Sequence, residues 1–147
     1  MKIFVGTDHQ GYMQKAKLVT FLQKQGYEVV DESTGQLNPD DDYPVFAKKV
    51  VLDMQASGDP EVRGILICGS GQGMCMTANR FKGIRAALGY DRESVRAARN
   101  DDDANILCLG VPSIEGDSGY NLIETFLRTP FAAAARFTRR IEEMDQL

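Results

Sequence analysis

Arg63-Gly64-Ile65-Leu66-Ile67-Cys68, followed at once by Gly69-Ser70-Gly71-Gln72-Gly73, is the stretch on which the fold turns. A short, nearly continuous apolar run closed by a glycine-rich turn has the length and composition of a strand buried on both faces. Downstream, a short helix over about Gly73 to Arg80 leads to a strand at Ile84 to Leu88. Asp91 is placed to N-cap a helix running through Asn100, Ile106 to Leu109 is another strand, and helices at Tyr120 to Leu127 and Ala132 to Met144 close the chain. Upstream, Lys2 to Gly6 reads as a strand and Met13 to Gln25 as a helix carrying Leu18, Phe21 and Leu22 at helical spacing. Tyr27 to Val30 is a strand, Glu32 to Asp42 a loop, and Tyr43 to Gln55 a helix ended by Ser57-Gly58-Asp59-Pro60.

Five strands alternating with helices imply right-handed crossovers and a parallel sheet covered on both faces. The expectation is an α/β fold: a single-domain, Rossmann-like three-layer α/β/α sandwich with a five-stranded parallel sheet, spanning residues 1–147. Such sheets hold ligands at the carboxyl ends of their strands, where Asp8, His9, Cys68 and the segment after Leu88 are expected to gather. The last helix, about residues 131–145, carries Phe131, Phe137, Ile141 and Met144, and is able to cover the core or pack on a partner subunit.

Composition narrows the function. A chain of 147 residues buries about two-thirds of its unfolded surface. With 43% hydrophobic and 26% charged residues it needs no staples. A net charge of −4 gives no basic stripe for a nucleic acid. Three cysteines with no paired spacing and no signal-peptide pattern predict a cytoplasmic protein with reduced thiols. No apolar run is long enough for a bilayer. No cluster of His, Cys and carboxylate has metal-ligand spacing, so neither a metal nor another cofactor is expected.

Cys68 ends a buried strand, and its sulfur is expected to face free N–H groups of the turn, an environment that favours a thiolate. Gly69, Gly71 and Gly73 would let the backbone approach a ligand and offer donors to an oxyanion. A buried cysteine beside a tight turn is the plainer alternative. The turn lacks the Lys-Ser/Thr pair of a Walker loop and does not follow the first strand, so ATP and NAD are disfavoured. Asp8 and His9, the latter the chain's one histidine, follow the first strand; they suit either a site or an N-capped turn. Arg136 and Arg140 share a helical face and could grip a phosphate, or form a solvated basic face. Cys75 and Cys108 read as core residues.

Taken together, Gly6-Thr7-Asp8-His9-Gln10-Gly11, Asp42-Tyr43-Pro44, Gly64 through Met74, Ala78-Asn79-Arg80-Phe81-Lys82-Gly83-Ile84-Arg85-Ala86 and Asp103-Ala104-Asn105-Ile106-Leu107-Cys108-Leu109-Gly110 resemble the type B ribose-5-phosphate isomerases, nearly end to end. That family also holds the galactose-6-phosphate isomerase subunits. The resemblance implies a homodimer or homotetramer with shared active sites acting on a phosphorylated small sugar of carbohydrate metabolism, as in the pentose phosphate pathway. It makes Cys68 the base that moves a proton between C1 and C2 through a cis-enediolate. Ser70 and the backbone of Gly69, Gly71 and Gly73 would stabilise the enediolate oxygens, Asp8 and His9 would contact the sugar and phosphate, and Arg136 and Arg140 would hold the phosphate.

Three departures from the family pattern bear on substrate. Ribose-specific members commonly read His-Asn-Asp-Ala-Asn where this chain reads Asp101-Asp102-Asp103-Ala104-Asn105, which removes the histidine that helps open the furanose ring. Pro112 stands for a further arginine, and Phe137 for a histidine. Asp101 is then expected to act as the acid–base group, with Asp102 at the substrate. A tetrose 4-phosphate, whose O4 is esterified, would need no opening. A subunit that binds a sugar phosphate without turning it over is the reading from another class.

Overall fold

The structure is a computed structural model describing residues 1–147. The chain runs β1 (Lys2–Thr7), α1 (Tyr12–Lys24), β2 (Glu28–Asp31), α2 (Tyr43–Ala56), β3 (Arg63–Cys68), α3 (Gln72–Ala78), β4 (Ala86–Leu88), α4 (Arg92–Asp102), β5 (Ile106–Gly110), α5 (Val111–Ile114), α6 (Asp117–Arg128) and α7 (Ala135–Asp145). All strand pairs are parallel, in the order β2-β1-β3-β5-β4.

Strand alternation divides the core into two layers. Ile3, Val5, Ile65, Ile67, Leu107 and Leu109 meet Leu18, Val95, Ile123 and Phe126 of α1, α4 and α6 on one face. Phe4, Leu66, Ile106 and Cys108 meet Phe46, Val50 and Met74 of α2 and α3 on the other. Ile65, Leu66 and Ile67 are fully buried, and each contributes about 1.5–3 kcal/mol of transfer free energy. That burial keeps β3 in the middle of the sheet, with β1 and β5 as its neighbours. No helix is long and apolar enough to cross a membrane.

The connections determine where a ligand fits. From β1 the chain turns through α1 toward β2 at one edge, while from β3 it turns through α3 toward the opposite half of the sheet. These departures separate the loops after β1 and β3 and open a crevice between two adjacent strands, the topological switch point of the fold.

Several boundaries differ from the sequence expectation. The strand expected from Ile84 starts at Ala86, because Gly83, at φ +75°, makes a turn in which Ile84 N–H donates to Phe81. The four-residue α5, with Pro112 in its first turn, was not expected, and α6 starts three residues before Tyr120. The final helix begins at Ala135, since Ala133 has a positive φ of 51° and Ala134 is extended. Asp91 caps α4 as expected, its Oδ1 accepting from Ser94 N–H at 2.7 Å, an arrangement worth about 1 kcal/mol.

Candidate active site

β1 and β3 pair with Thr7 opposite Ile67, so Asp8 and Cys68 leave the sheet side by side. Asp8 N–H donates to the Ile67 carbonyl at 3.3 Å, which continues the ladder into the loop. Asp8 is 4% exposed, and its Oδ1 accepts from Gln10 N–H at 3.0 Å and Gly11 N–H at 3.3 Å. The carboxylate thus caps its own turn. Burial raises its pKa above the ordinary carboxylate value against those two bonds.

Cys68 is 4% exposed, and its Sγ accepts from Gly71 N–H at 3.2 Å. Gly71 lies at φ +78°, and a Cβ there would stand 2.8 Å from the Leu109 carbonyl carbon, so this turn requires glycine. The amide of Gly71 is therefore committed to the sulfur. The N–H groups of Gly69, Ser70 and Gly73 make no hydrogen bond within the chain, while Gln72 N–H donates to Ser70 Oγ at 3.3 Å. Three unengaged donors and one thiol sulfur surround the head of the crevice.

Three side chains that sequence reasoning did not assign complete this end. Gln10 lies directly over Gly69 and Tyr43 directly over Gly73, each where a Cβ would stand. Asp41 comes from the loop before α2. Its Oδ1 accepts from His9 N–H at 3.0 Å and lies 2.7 Å from His9 Nδ1. The Asp41 bond, more than the neighbouring carboxylates of Asp8 and Asp40, raises the His9 pKa above the ordinary imidazole value. Asp8, His9 and Asp41 bring one donor atom each within 4.8 Å of one another, the one grouping of metal-ligand type in the chain. Linear spacing gave no hint of it, because Asp41 is 32 residues from His9.

The other expected site residues stand elsewhere. Asn105, just before β5, accepts from Gly64 N–H at 2.9 Å at the start of β3, about 13 Å of strand from Cys68. Asp101 and Asp102 end α4 just before that point; Asp101 Oδ1 accepts from Asn100, and Asp102 C=O accepts from Arg85 Nε at 3.0 Å. Arg136 and Arg140 are exposed on α7, whose approach is tied to α4 by Ala132 N–H donating to Asn100 C=O at 3.0 Å. A single chain thus joins Asp8, His9, Cys68 and Ser70 and does not bring Asp101, Asp102, Arg136 or Arg140 to them. A groove of about 800 Å³ also lies at this far end, between Arg80, Phe81 and Arg85 on one side and Met144 and Leu147 on the other.

Asp103 and Asn105, which carry part of the resemblance, have structural work. Asp103 pairs with Arg99 at 2.6 Å and Arg85 at 2.9 Å, and Asn105 bonds Arg85 N–H and the Gly83 carbonyl. Phe137 is buried at 7% exposure, and Arg136 stacks on its ring at 4.8 Å.

Comparison with known proteins agrees with this arrangement. The family model described as Ribose/Galactose Isomerase matches residues 3–144. A probable ribose-5-phosphate isomerase B of Mycoplasma pneumoniae is 38% identical over 139 residues, covering 95% of this chain and 90% of that one. The crystal structure of a ribose 5-phosphate isomerase from Thermotoga maritima superposes with a TM-score of 0.91 at 39% identity, covering 99% of this chain and 98% of the other. That of ribose-5-phosphate isomerase B from Mycoplasma genitalium with bound ribulose-5-phosphate gives 0.92 at 34% identity, covering 99% and 94%. The chain belongs to the ribose/galactose isomerase family.

Proposed function

We propose that the protein is a cytoplasmic aldose–ketose isomerase of a phosphorylated sugar, of the ribose 5-phosphate/ribulose 5-phosphate type, with Cys68 as its base. The observation that carries this reading is the Cys68 sulfur beside Gly71 N–H, next to the unengaged amides of Gly69, Ser70 and Gly73. Sγ takes the proton from C2 of the open aldose, and negative charge develops on the oxygens at C1 and C2 of the cis-enediolate. Fixed backbone donors stabilise charge that appears only at that stage, so their effect falls on the barrier and not on substrate binding. The hydroxyl proton of O2 passes to O1 in the enediolate, and return of the carbon-bound proton from Sγ to C1 then gives the ketose. Asp8 and His9 contact the sugar and its phosphate, and Ser70 adds a hydroxyl at the enediolate.

The same reading assigns the separated residues to a homodimer or larger homo-oligomer. Arg136 and Arg140 of one chain, with Asp101 and Asp102 near them, close the crevice over Cys68 of its partner and hold the phosphate. Their exposure on α7, remote from their own Cys68, supports this assignment.

The test is hydrogen exchange at C2 of the aldose phosphate in D2O: Cys68→Ala should abolish exchange while phosphate-ester binding persists, and undiminished exchange would refute the base. Assay of tetrose 4-phosphates, ribose 5-phosphate and galactose 6-phosphate fixes the carbon number. Turnover of none of them would leave a binding subunit.

A further inference from the structure

All three cysteines of the chain lie close to the head of the crevice. Strand alternation puts Cys108 of β5 on the same side of the sheet as Cys68, in the layer covered by α2 and α3, and Cys75 of α3 packs against that layer. Cys108 is fully buried, while Cys75 is half-buried and reaches solvent. Cys68 stands opposite Gly110 and Cys108 opposite Leu66, so their Cα atoms are about 8 Å apart, too far for a disulfide. Cys75 is placed differently. Its Sγ lies 3.4 Å from the Ala86 carbonyl of β4, the strand that pairs with β5, and it meets the Cys108 thiol.

The surroundings divide the roles of this pair. The Cys108 thiol donates to Cys75 Sγ and holds its pKa below the ordinary thiol value against the effect of burial, and Asn79 Nδ2 donates to the same sulfur at 3.7 Å. Burial pushes the Cys108 thiol well above the ordinary value. An accessible sulfur with thiolate character thus touches a buried thiol. We propose that Cys75 is a modification site for hydroperoxides, that Cys108 converts the oxidised sulfur to a disulfide, and that this bond lowers turnover reversibly.

The Cys75 thiolate attacks the distal oxygen of the peroxide; an S–O bond forms, the O–O bond breaks, and the leaving hydroxide takes a proton to become water. Cys75 is then a sulfenic acid, oxidised by two electrons. Cys108 sulfur attacks it, the S–S bond forms as the S–O bond breaks, and the Cys108 proton leaves with the hydroxide as a second water. Both cysteines adjoin the glycine turn. Cys75 N–H donates to the Gly71 carbonyl at 3.1 Å, and two residues after Cys108 the Gly110 backbone abuts Ser70, while Val111 N–H donates to the Gly69 carbonyl at 3.2 Å. Shortening a thiol contact to a bond of about 2 Å draws α3 onto β5 and displaces the amides of Gly69, Ser70 and Gly73. The effect on turnover rests on the isomerase reading above; the disulfide does not.

The experiment treats the reduced protein with hydrogen peroxide, followed by thiol titration, peptide mapping and assay. Trypsin leaves Cys68 and Cys75 together in residues 64–80 and Cys108 in residues 100–128, so the map is also made on Cys68→Ala. Wild type should lose two of its three thiols and the mass of two hydrogens, and both proteins should give the 64–80/100–128 cross-link. Peroxide should lower wild-type kcat about 10- to 100-fold, with dithiothreitol restoring it. Cys75→Ser, or Cys75→Ala where serine costs stability, should keep the basal activity, form no cross-link and resist the same dose. A cross-link missing from Cys68→Ala, three thiols surviving in wild type, or equal inactivation of Cys75→Ser would overturn the inference while the isomerase reading stands. A reduced protein that turned over no sugar phosphate would refute that reading and the effect on turnover, and the cross-link alone would decide the modification site.

Discussion

The two ends of the sheet are built from similar residue types and treat their polar groups in opposite ways. At the amino end, Arg85, Arg99, Asp103 and Asn105 saturate one another: Arg99, 4% exposed, donates to Asp103, Ala104 and Thr129, and Arg85 to Asp102 and Asp103. At the carboxyl end the amides of Gly69, Ser70 and Gly73 and the Nε2 of His9 have no partner in the chain. Donors that a fold could have satisfied and did not are the ones available to a ligand. Among the groups left open at the amino end are Arg136 and Arg140, exposed on α7, which are the ones assigned to the partner's site.

The contrast can be broken first at its strongest point. Cys68→Ala should lower turnover at least about a thousandfold, with melting temperature little changed, as steady-state kinetics and thermal unfolding would show. Gly71→Ala forces a Cβ onto the Leu109–Gly110 backbone at positive φ, and should cost about 2–4 kcal/mol in a denaturant titration as well as the activity. Asp103→Ala, at the saturated end, leaves the buried Arg99 without its carboxylate. It should cost about 2–3 kcal/mol of stability, with kcat/KM of the folded fraction falling much less than in Cys68→Ala.

A smaller effect sharpens the comparison through pH. Because burial raises the Asp8 pKa in the folded state, the native protein holds that proton more tightly than the unfolded chain. Stability therefore declines as pH rises from the ordinary carboxylate value through the raised one, and the charged Asp8 is a net cost at neutral pH. Asp8→Asn keeps an acceptor for Gln10 and Gly11, so it should be more stable than wild type at pH 7 and lose that advantage as pH falls toward 4. Its activity should be lower at every pH, the trade expected of a carboxylate kept for chemistry.

The fold was legible because strands buried on both faces read as plain apolar runs, Arg63–Cys68 and Ile106–Gly110 above all, and because Gly, Asp and Pro mark most of the turns between them. What escaped were boundaries set by local geometry. A four-residue helix led by Pro112 and an extended Ala134 before α7 have no periodicity to betray them. Asp8, His9 and Cys68 were legible as neighbours since parallel pairing of β1 with β3 carries both strand ends to one crevice. Asp41 was not: within Asp40-Asp41-Asp42 nothing local distinguishes the residue that reaches back to His9. Gln10 and Tyr43 were hidden too, visible only as the reason that Gly69 and Gly73 have no room for a side chain. The helical spacing of Arg136 and Arg140 was sound, and both lie exposed on α7, but spacing says nothing of which end of the sheet a helix covers.

The central claim, that the open end of one chain is completed by the other end of its partner, is tested most directly by mixing two inactive proteins. Cys68→Ala and the double variant Arg136→Ala/Arg140→Ala are unfolded together, refolded, and assayed for sugar-phosphate isomerisation. Random pairing gives heterodimers in which one site joins an intact Cys68 to intact arginines, so activity should return to about a quarter of wild type. Activity no higher than that of either variant alone would contradict the shared site.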